Sequence, residues 1–271
     1  MRRSLTRSAE AFLIVIVVIV GVALYLGLRS YYAPQPTTST STTATPSITG
    51  TTSPTLTTTS SVGPASLTLA EVEAFALLNE TPSLGPGNAS KVIVVVYDPE
   101  CPYCALELNA TLPFLYYISV NTSQARVIFL GLPIHEYSAP MLEILDAVYN
   151  RYGQGAFANL LDWNYAYYVY WIEQYEQGKT QQLVVPTNAT LLQMAEELGY
   201  NVTQAEVGSY ESLVNLTASF LIQHGITATP TLLAYDGQGA PVYVQVGLTN
   251  PNYLVCNLTE RLSLSVPGIT C

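Results

Sequence analysis

Apolar and polar positions fall into three regimes along this chain. The first is an uninterrupted apolar run, Ala11 to Leu28 (AFLIVIVVIVGVALYLGL), eighteen residues without a charge. At ~1.5 Å rise per residue it reaches roughly 27 Å as a helix, close to the thickness of bilayer hydrocarbon. The second, Pro34 to Pro64, is almost entirely Thr, Ser and Pro with no charged residue. It cannot bury enough apolar surface to offset its ordering entropy. The third, from about Leu67 to Cys271, alternates apolar blocks with turn residues and suits one domain of roughly 200 residues.

Within the third regime the periodicities predict an order of elements. Thr68 to Asn79 (TLAEVEAFALLN) reads as a helix with Thr68 as N-cap and Glu71 at the N3 position of a capping box. Thr81 to Ser90 is a Pro/Gly/Asn loop. Lys91 to Tyr97 (KVIVVVY) is nearly continuous β-branched sequence, as in a central strand buried on both faces. A helix then runs from Pro102 to about Ser119 with a kink at Pro113, followed by a second buried strand, Arg126 to Leu132. A helical block covers Ser138 to Tyr152, Ala156 to Gln177, Asn188 to Tyr200 and Tyr210 to His224. Thr231 to Tyr235 and Val242 to Val246 flank Asp236-Gly237-Gln238-Gly239 as a hairpin, and Pro251 to Leu262 forms the last helix. The fold class is α/β, a mixed sheet with a helical insertion at about 138–224.

Charge orients the N-terminal run. Arg2, Arg3 and Arg7 precede it and only Arg29 follows closely, so residues 1–10 are expected in the cytoplasm, 11–29 as a transmembrane signal-anchor helix, and the rest outside. A cleaved signal peptide is the alternative, disfavoured by the length of the apolar run and the poor cleavage site at Ala33-Pro34. Residues 30–66 then form a mucin-like stalk beneath the domain of residues 67–271. Beyond the anchor, five basic residues stand against 18 acidic ones, a formal −13. That leaves no basic patch for phosphate contacts and excludes nucleic acid as a partner. Eight N-x-Ser/Thr sequons, beginning at Asn79, Asn88, Asn109, Asn121, Asn188, Asn201, Asn215 and Asn257, favour an exterior glycoprotein.

An even count of four cysteines in an exterior domain favours disulfides, with Cys101–Cys104 and Cys256–Cys271 as the pairs suggested by position. Cys256–Cys271 reads as a staple of the C-terminal tail, worth about 3 kcal/mol on the chain-entropy model; a second redox pair is the alternative. Cys101-Pro102-Tyr103-Cys104 lies between the first strand and its helix. Spacing of i, i+3 places both sulfurs on one face of the first turn. Cys101 sits at the helix N-terminus, where free N–H groups and the helix dipole favour a thiolate; Pro102 suits N1, and Cys104 lies one turn in and deeper. Such a pair carries out thiol–disulfide exchange, with Cys101 as attacking and leaving sulfur and Cys104 as the resolving one. A purely structural disulfide, or a zinc site shared with Cys256 and Cys271, are the bland readings. Thr229-Pro230 precedes the third strand; a cis proline there would form a bend beside the dithiol at which an extended client segment could pair.

Together these features resemble the DsbA-type thioredoxin-fold proteins. The likeness rests on the strand–CPYC–helix, Thr111-Leu112-Pro113-Phe114-Leu115, Leu132-Pro133-Ile134-His135, the helical insertion and Gly225-Ile226-Thr227-Ala228-Thr229-Pro230-Thr231. It covers roughly Lys91 to Leu262. The resemblance implies a thioredoxin-like fold with a central helical insertion, here preceded by one transmembrane helix and a disordered linker. It also implies a cis Thr229–Pro230 bond packed on the cysteines, and exchange on cysteines of exported proteins without a metal or organic cofactor. A quinone-linked membrane protein is the redox partner it suggests. Two residues depart from the pattern. Val95 stands where thioredoxin-like proteins often carry a buried acid, and Tyr103 where DsbA has His, which implies a less extreme oxidant. Thr before the proline also occurs in isomerase and reductase relatives, so oxidation, isomerisation and reduction all stay open.

Other residues have plainer expectations. The stripe Trp163, Tyr167, Tyr170 and Trp171 reads as helix packing, with an aromatic wall of a client groove as the sharper alternative. His135 reads as structural or solvent-exposed, His224 as a partner of its helix's last carbonyls, and Glu136, Glu143 and Asp146 as a solvated face. The rival to the enzyme is a non-catalytic surface glycoprotein that keeps the fold with a locked disulfide.

Overall fold

The structure, a computed structural model, describes residues 63–179, 186–237, 239–269 and 271. The expected membrane anchor, and the stalk up to residue 62, lie outside the described residues. Among the described residues no helix is long and apolar enough to cross a membrane.

Among the described residues a short 3-10 turn, Pro64–Ser66, precedes α1 (Leu69–Asn79), whose N-cap is the expected capping box: Thr68 Oγ1 accepts from Glu71 N, and Glu71 Oε2 accepts from Thr68 N at 2.8 Å. Thr68→Ala is expected to cost ~1 kcal/mol, read as a fall in the denaturant midpoint at constant slope. After α1 come β1 (Ser83–Leu84), β2 (Lys91–Tyr97), α2 (Pro102–Tyr116) and β3 (Arg126–Gly131). Helix α2 continues through Pro113, and a π-type turn, Tyr117–Asn121, follows it before β3. The helical block is α3 (Ser138–Tyr152), α4 (Gln154–Glu176), α5 (Asn188–Glu197), α6 (Gln204–Gly208) and α7 (Glu211–Gln223). The hairpin β4 (Thr231–Asp236) and β5 (Tyr243–Val246) and helix α8 (Pro251–Arg261) complete the domain.

Five strands form one sheet in the order β1-β3-β2-β4-β5. β2 and β3 run parallel, with Val94 opposite Ile128; β4 is antiparallel to β2, with Leu233 opposite Val94. The alternation of β2 explains why its sequence is apolar throughout. Ile93, Val95 and Tyr97 face the core made with α2, α3 and α4, while Val92, Val94 and Val96 face α1 and α7. Both faces are dry, so a polar residue at any of these positions would be buried without a partner. On the second face Phe75 of α1 stacks on Phe220 of α7 at 4.2 Å, and His224 Nδ1 lies 2.8 Å from the Phe220 carbonyl, as expected of a helix-ending histidine.

Two elements differ from the sequence expectation. The Thr81–Ser90 loop contains β1, which pairs antiparallel with β3 over Ser83 and Leu84. Its two residues have no periodicity of their own; the exposed edge of β3 decides them. Gln204–Gly208 is an extra helix of five residues with its own capping box, Thr203 and Glu206. Cys256 and Cys271 form a disulfide, Cα–Cα 5.3 Å, so neither is available to a zinc site with the CPYC pair.

Candidate active site

β2 ends at Tyr97, and the turn that follows delivers Cys101 to the start of α2. Cys101 is the N-cap residue and Pro102 is N1, where its missing N–H leaves no donor unpaired. The turn is closed by a Cys101 N–H bond to the Asp98 carbonyl at 3.1 Å. Cys101 and Cys104 are both free thiols; 3 % of the Cys101 surface is exposed and none of Cys104.

The Thr229–Pro230 peptide bond is cis and lies against the dithiol, with Cys101 Sγ 3.7 Å from the Thr229 carbonyl oxygen. The bend is held by Gly247 N–H donating to the Pro230 carbonyl at 2.8 Å and by Thr231 Oγ1 donating to Ala228 at 2.8 Å. The neutral thiol donates to the Thr229 carbonyl. The Thr229 hydroxyl oxygen is buried without a partner, so its hydrogen can serve a Cys101 thiolate instead.

The two sulfurs are driven apart in acidity. A hydrogen bond from the Cys104 thiol, aided by Thr229 and the N–H groups of Cys104 and Tyr103, brings Cys101 down to about 6 against the opposing effect of burial. Burial first, then the hydrogen bond and charge of Cys101, push Cys104 well up. The ionised partner is therefore the outer one, and the inner one stays a thiol.

Helix α4 braces the turn from behind. Asn164 Nδ2 donates to the Pro99 carbonyl at 2.8 Å and Tyr165 OH to the Asp98 carbonyl at 3.1 Å. The aromatic stripe on α4 is packed only in part: Trp163 is 53 % and Tyr170 50 % exposed, while Trp171 is half-buried and packs edge-on against Tyr168. Tyr168, on the same inner side of α4 as Asn164 and Tyr165, is pushed up to about 12 by burial and by the charges of Glu100, Cys101 and Asp98, which places that side, and not the exposed Trp163 and Tyr170, beside the dithiol. Near the cysteines the exposed apolar side chains are Tyr103, within the motif, and Ile134, whose N–H donates to Asp98.

Sequence reasoning missed two buried acids and undervalued a third residue. Val95 carries no carboxylate into the core, but Glu107, one turn past Cys104 on α2, does. Its Oε2 accepts from Gln245 Nε2 at 2.9 Å and Thr249 N at 3.0 Å, Oε1 has no partner, and burial raises its pKa. The available signal was the i+3 spacing from Cys104, which puts Glu107 on the inward face. Asp146, expected on a solvated face, is 7 % exposed and pushed up to about 8 by burial and by Glu143. His135, expected to be incidental, lies 2.8 Å from Asp98 and feels the charge of Cys101.

A thioredoxin family model matches residues 78–239. No curated protein matches the sequence. Among solved structures, Proteus mirabilis ScsC in a transitional conformation is similar at 20 % identity and TM-score 0.51, over 72 % of this chain and 78 % of that one. Wolbachia pipientis alpha-DsbA1 is similar at 14 % identity and TM-score 0.53, over 68 % and 91 %. A periplasmic thioredoxin-like protein from Salmonella enterica serovar Typhimurium gives 20 % and 0.51, over 71 % and 97 %. The chain belongs to the thioredoxin family, and its fold is similar to that of the Wolbachia DsbA-type protein.

Proposed function

We propose that this chain is a membrane-anchored thiol–disulfide oxidoreductase that acts outside the cytoplasm on cysteines of exported proteins, with oxidation as its first direction. The observation that carries the reading is the pairing of two thiols of opposite acidity, Cys101 lowered to about 6 and Cys104 raised, against the Thr229 carbonyl. In the oxidised enzyme a client thiolate attacks Cys101, the 101–104 bond breaks, and Cys104 leaves and takes up a proton. The client's second thiolate then attacks the client sulfur of the mixed disulfide and releases Cys101 as a stable thiolate. Thr229 and Pro230 supply the bend against which the client segment docks, and exposed Tyr103 and Ile134 supply apolar contact. The apolar run at 11–29 and the Ser/Thr/Pro stalk support anchoring above a membrane, with a quinone-linked membrane protein restoring the disulfide.

The test is Cys104→Ala in the full chain. The variant is expected to accumulate client proteins joined to Cys101 and released by dithiol, because the resolving sulfur is gone. The glycoprotein rival requires that this variant trap no client and that the wild-type bond resist mild dithiol.

A further inference from the structure

Asp98, three residues before the dithiol, is fully buried and surrounded by donors. Its Oδ1 accepts from Glu100 N at 2.8 Å and Ser138 Oγ at 2.6 Å; its Oδ2 accepts from Ile134 N at 2.9 Å and faces His135 Nδ1 at 2.8 Å. With the other three positions taken by donors, the hydrogen in the last contact belongs to the histidine. Nδ1–H donates to Asp98, and Nε2 is left as the nitrogen that gains or loses a proton.

The backbone holds this pair at the dithiol. Leu132 N–H donates to the Tyr97 carbonyl at 2.8 Å, Tyr137 N–H to Glu100 Oε2 at 2.7 Å, and Cys101 N–H to the Asp98 carbonyl. Segments 97–101 and 132–138 are thus stitched together at one end of the sheet. The imidazole is 38 % exposed, open to solvent and to an arriving client. Burial lowers its basicity, but Asp98, then Cys101 and Glu100, outweigh this and raise it. From α4, Tyr168 faces the same three groups.

We propose that His135, oriented by Asp98, is the acid–base group of exchange at Cys101: Nε2 takes the proton of an arriving client thiol, and the imidazolium so formed stabilises Cys101 as it departs as a thiolate. The first client thiol gives its proton to Nε2, and its sulfur bonds to Cys101. The electron pair of the 101–104 bond goes to Cys104, which takes the proton back from the imidazolium by way of solvent. The second client thiol repeats the proton transfer, and its sulfur bonds to the first client sulfur. Cys101 leaves with the electron pair. Two electrons pass from client to enzyme; one client proton ends on Cys104 and the other on His135. Asp98 is a positioning residue that fixes the tautomer.

This inference rests on the exchange reading above, and one experiment separates the two. Exchange with glutathione and the ultraviolet titration of the Cys101 thiolate are followed across pH in the full chain, His135→Gln and His135→Lys. His135→Gln is expected to raise the Cys101 ionisation midpoint by ~1 pH unit and to slow exchange about tenfold near neutrality. His135→Lys, cationic throughout, is expected to restore the low midpoint without restoring the His-dependent inflection in rate. Wild type that exchanges, with His135→Gln matching its midpoint and pH profile, overturns the dyad alone. Wild type that does not exchange overturns the proposed function itself.

Discussion

Replacing Cys101 by Ser is expected to abolish thiol–disulfide exchange, a loss of at least ~10³-fold, because a hydroxyl cannot form the mixed disulfide. The same change should remove the thiolate titration near pH 6, since Cys104 is held well above the ordinary range. The size of the Cys101 shift says what it is for. At pH 7 a sulfur with pKa about 6 is ~90 % thiolate, against ~3 % for an ordinary cysteine. That ~30-fold gain is offset by roughly tenfold lower intrinsic nucleophilicity of the weaker base. As an attacking group Cys101 gains little; as a leaving group it gains in full. The thiolate also favours the dithiol state by about tenfold at pH 7, equivalent to ~30 mV toward the oxidising side. The advantage is present above pH 6 and fades as pH falls through it. Equilibration with glutathione at several pH values measures both effects, and a pH-independent equilibrium across that range would contradict them.

Replacing Asp146 by Asn, a change of similar volume, is expected to stabilise the domain at neutral pH by about 2–4 kcal/mol. Asp146 lies in α3 beneath α7, among Thr81, Leu142, Val214 and Thr217. Among the described residues the ionisable groups around it, Glu143 on its own helix, Tyr97 on β2 and Tyr210 before α7, bring no cation to it. Burial and Glu143 raise its folded pKa to about 8, while in the unfolded chain it ionises as an ordinary aspartate at ~3.9. Between those values the folded state binds more protons at Asp146 than the unfolded state, so the contribution of this group is most favourable in acid and falls as pH rises toward 8. Above 8 the group is ionised in both states and the loss is complete. Denaturant unfolding at pH 4, 6 and 8 should show that slope in the wild type and a flatter line in Asp146→Asn. An unchanged slope would mean the carboxylate has an ionic partner after all.

Both residues show what was legible beforehand. Cys101 was legible because its environment is local: a helix start, a proline at N1 and a second cysteine one turn on lie within four residues. The strands were legible for the same kind of reason, since β2 is dry on both faces and its sequence is apolar on both alternations. Asp146 was not legible. On its own helix it shares a polar face with Glu143, and only α7 packing over that face turns it inward. Trp163 and Tyr170 err the other way, because helical spacing of aromatics signals a shared face without saying whether anything covers it. β1 was missed because two residues carry no period, and their pairing belongs to the edge of β3.

Taken alone, the sequence determined the order of strands and helices apart from β1 and α6, the position of the dithiol, the capping box at Thr68 and the proline before β4, all set by contacts within a turn or two of chain. Tertiary structure decided which groups surround the sulfur. Thr229 reaches Cys101 across 128 residues, and His135 reaches Asp98 across 37. Acidity follows distance and burial, and both are properties of how distant segments pack rather than of their neighbours in sequence.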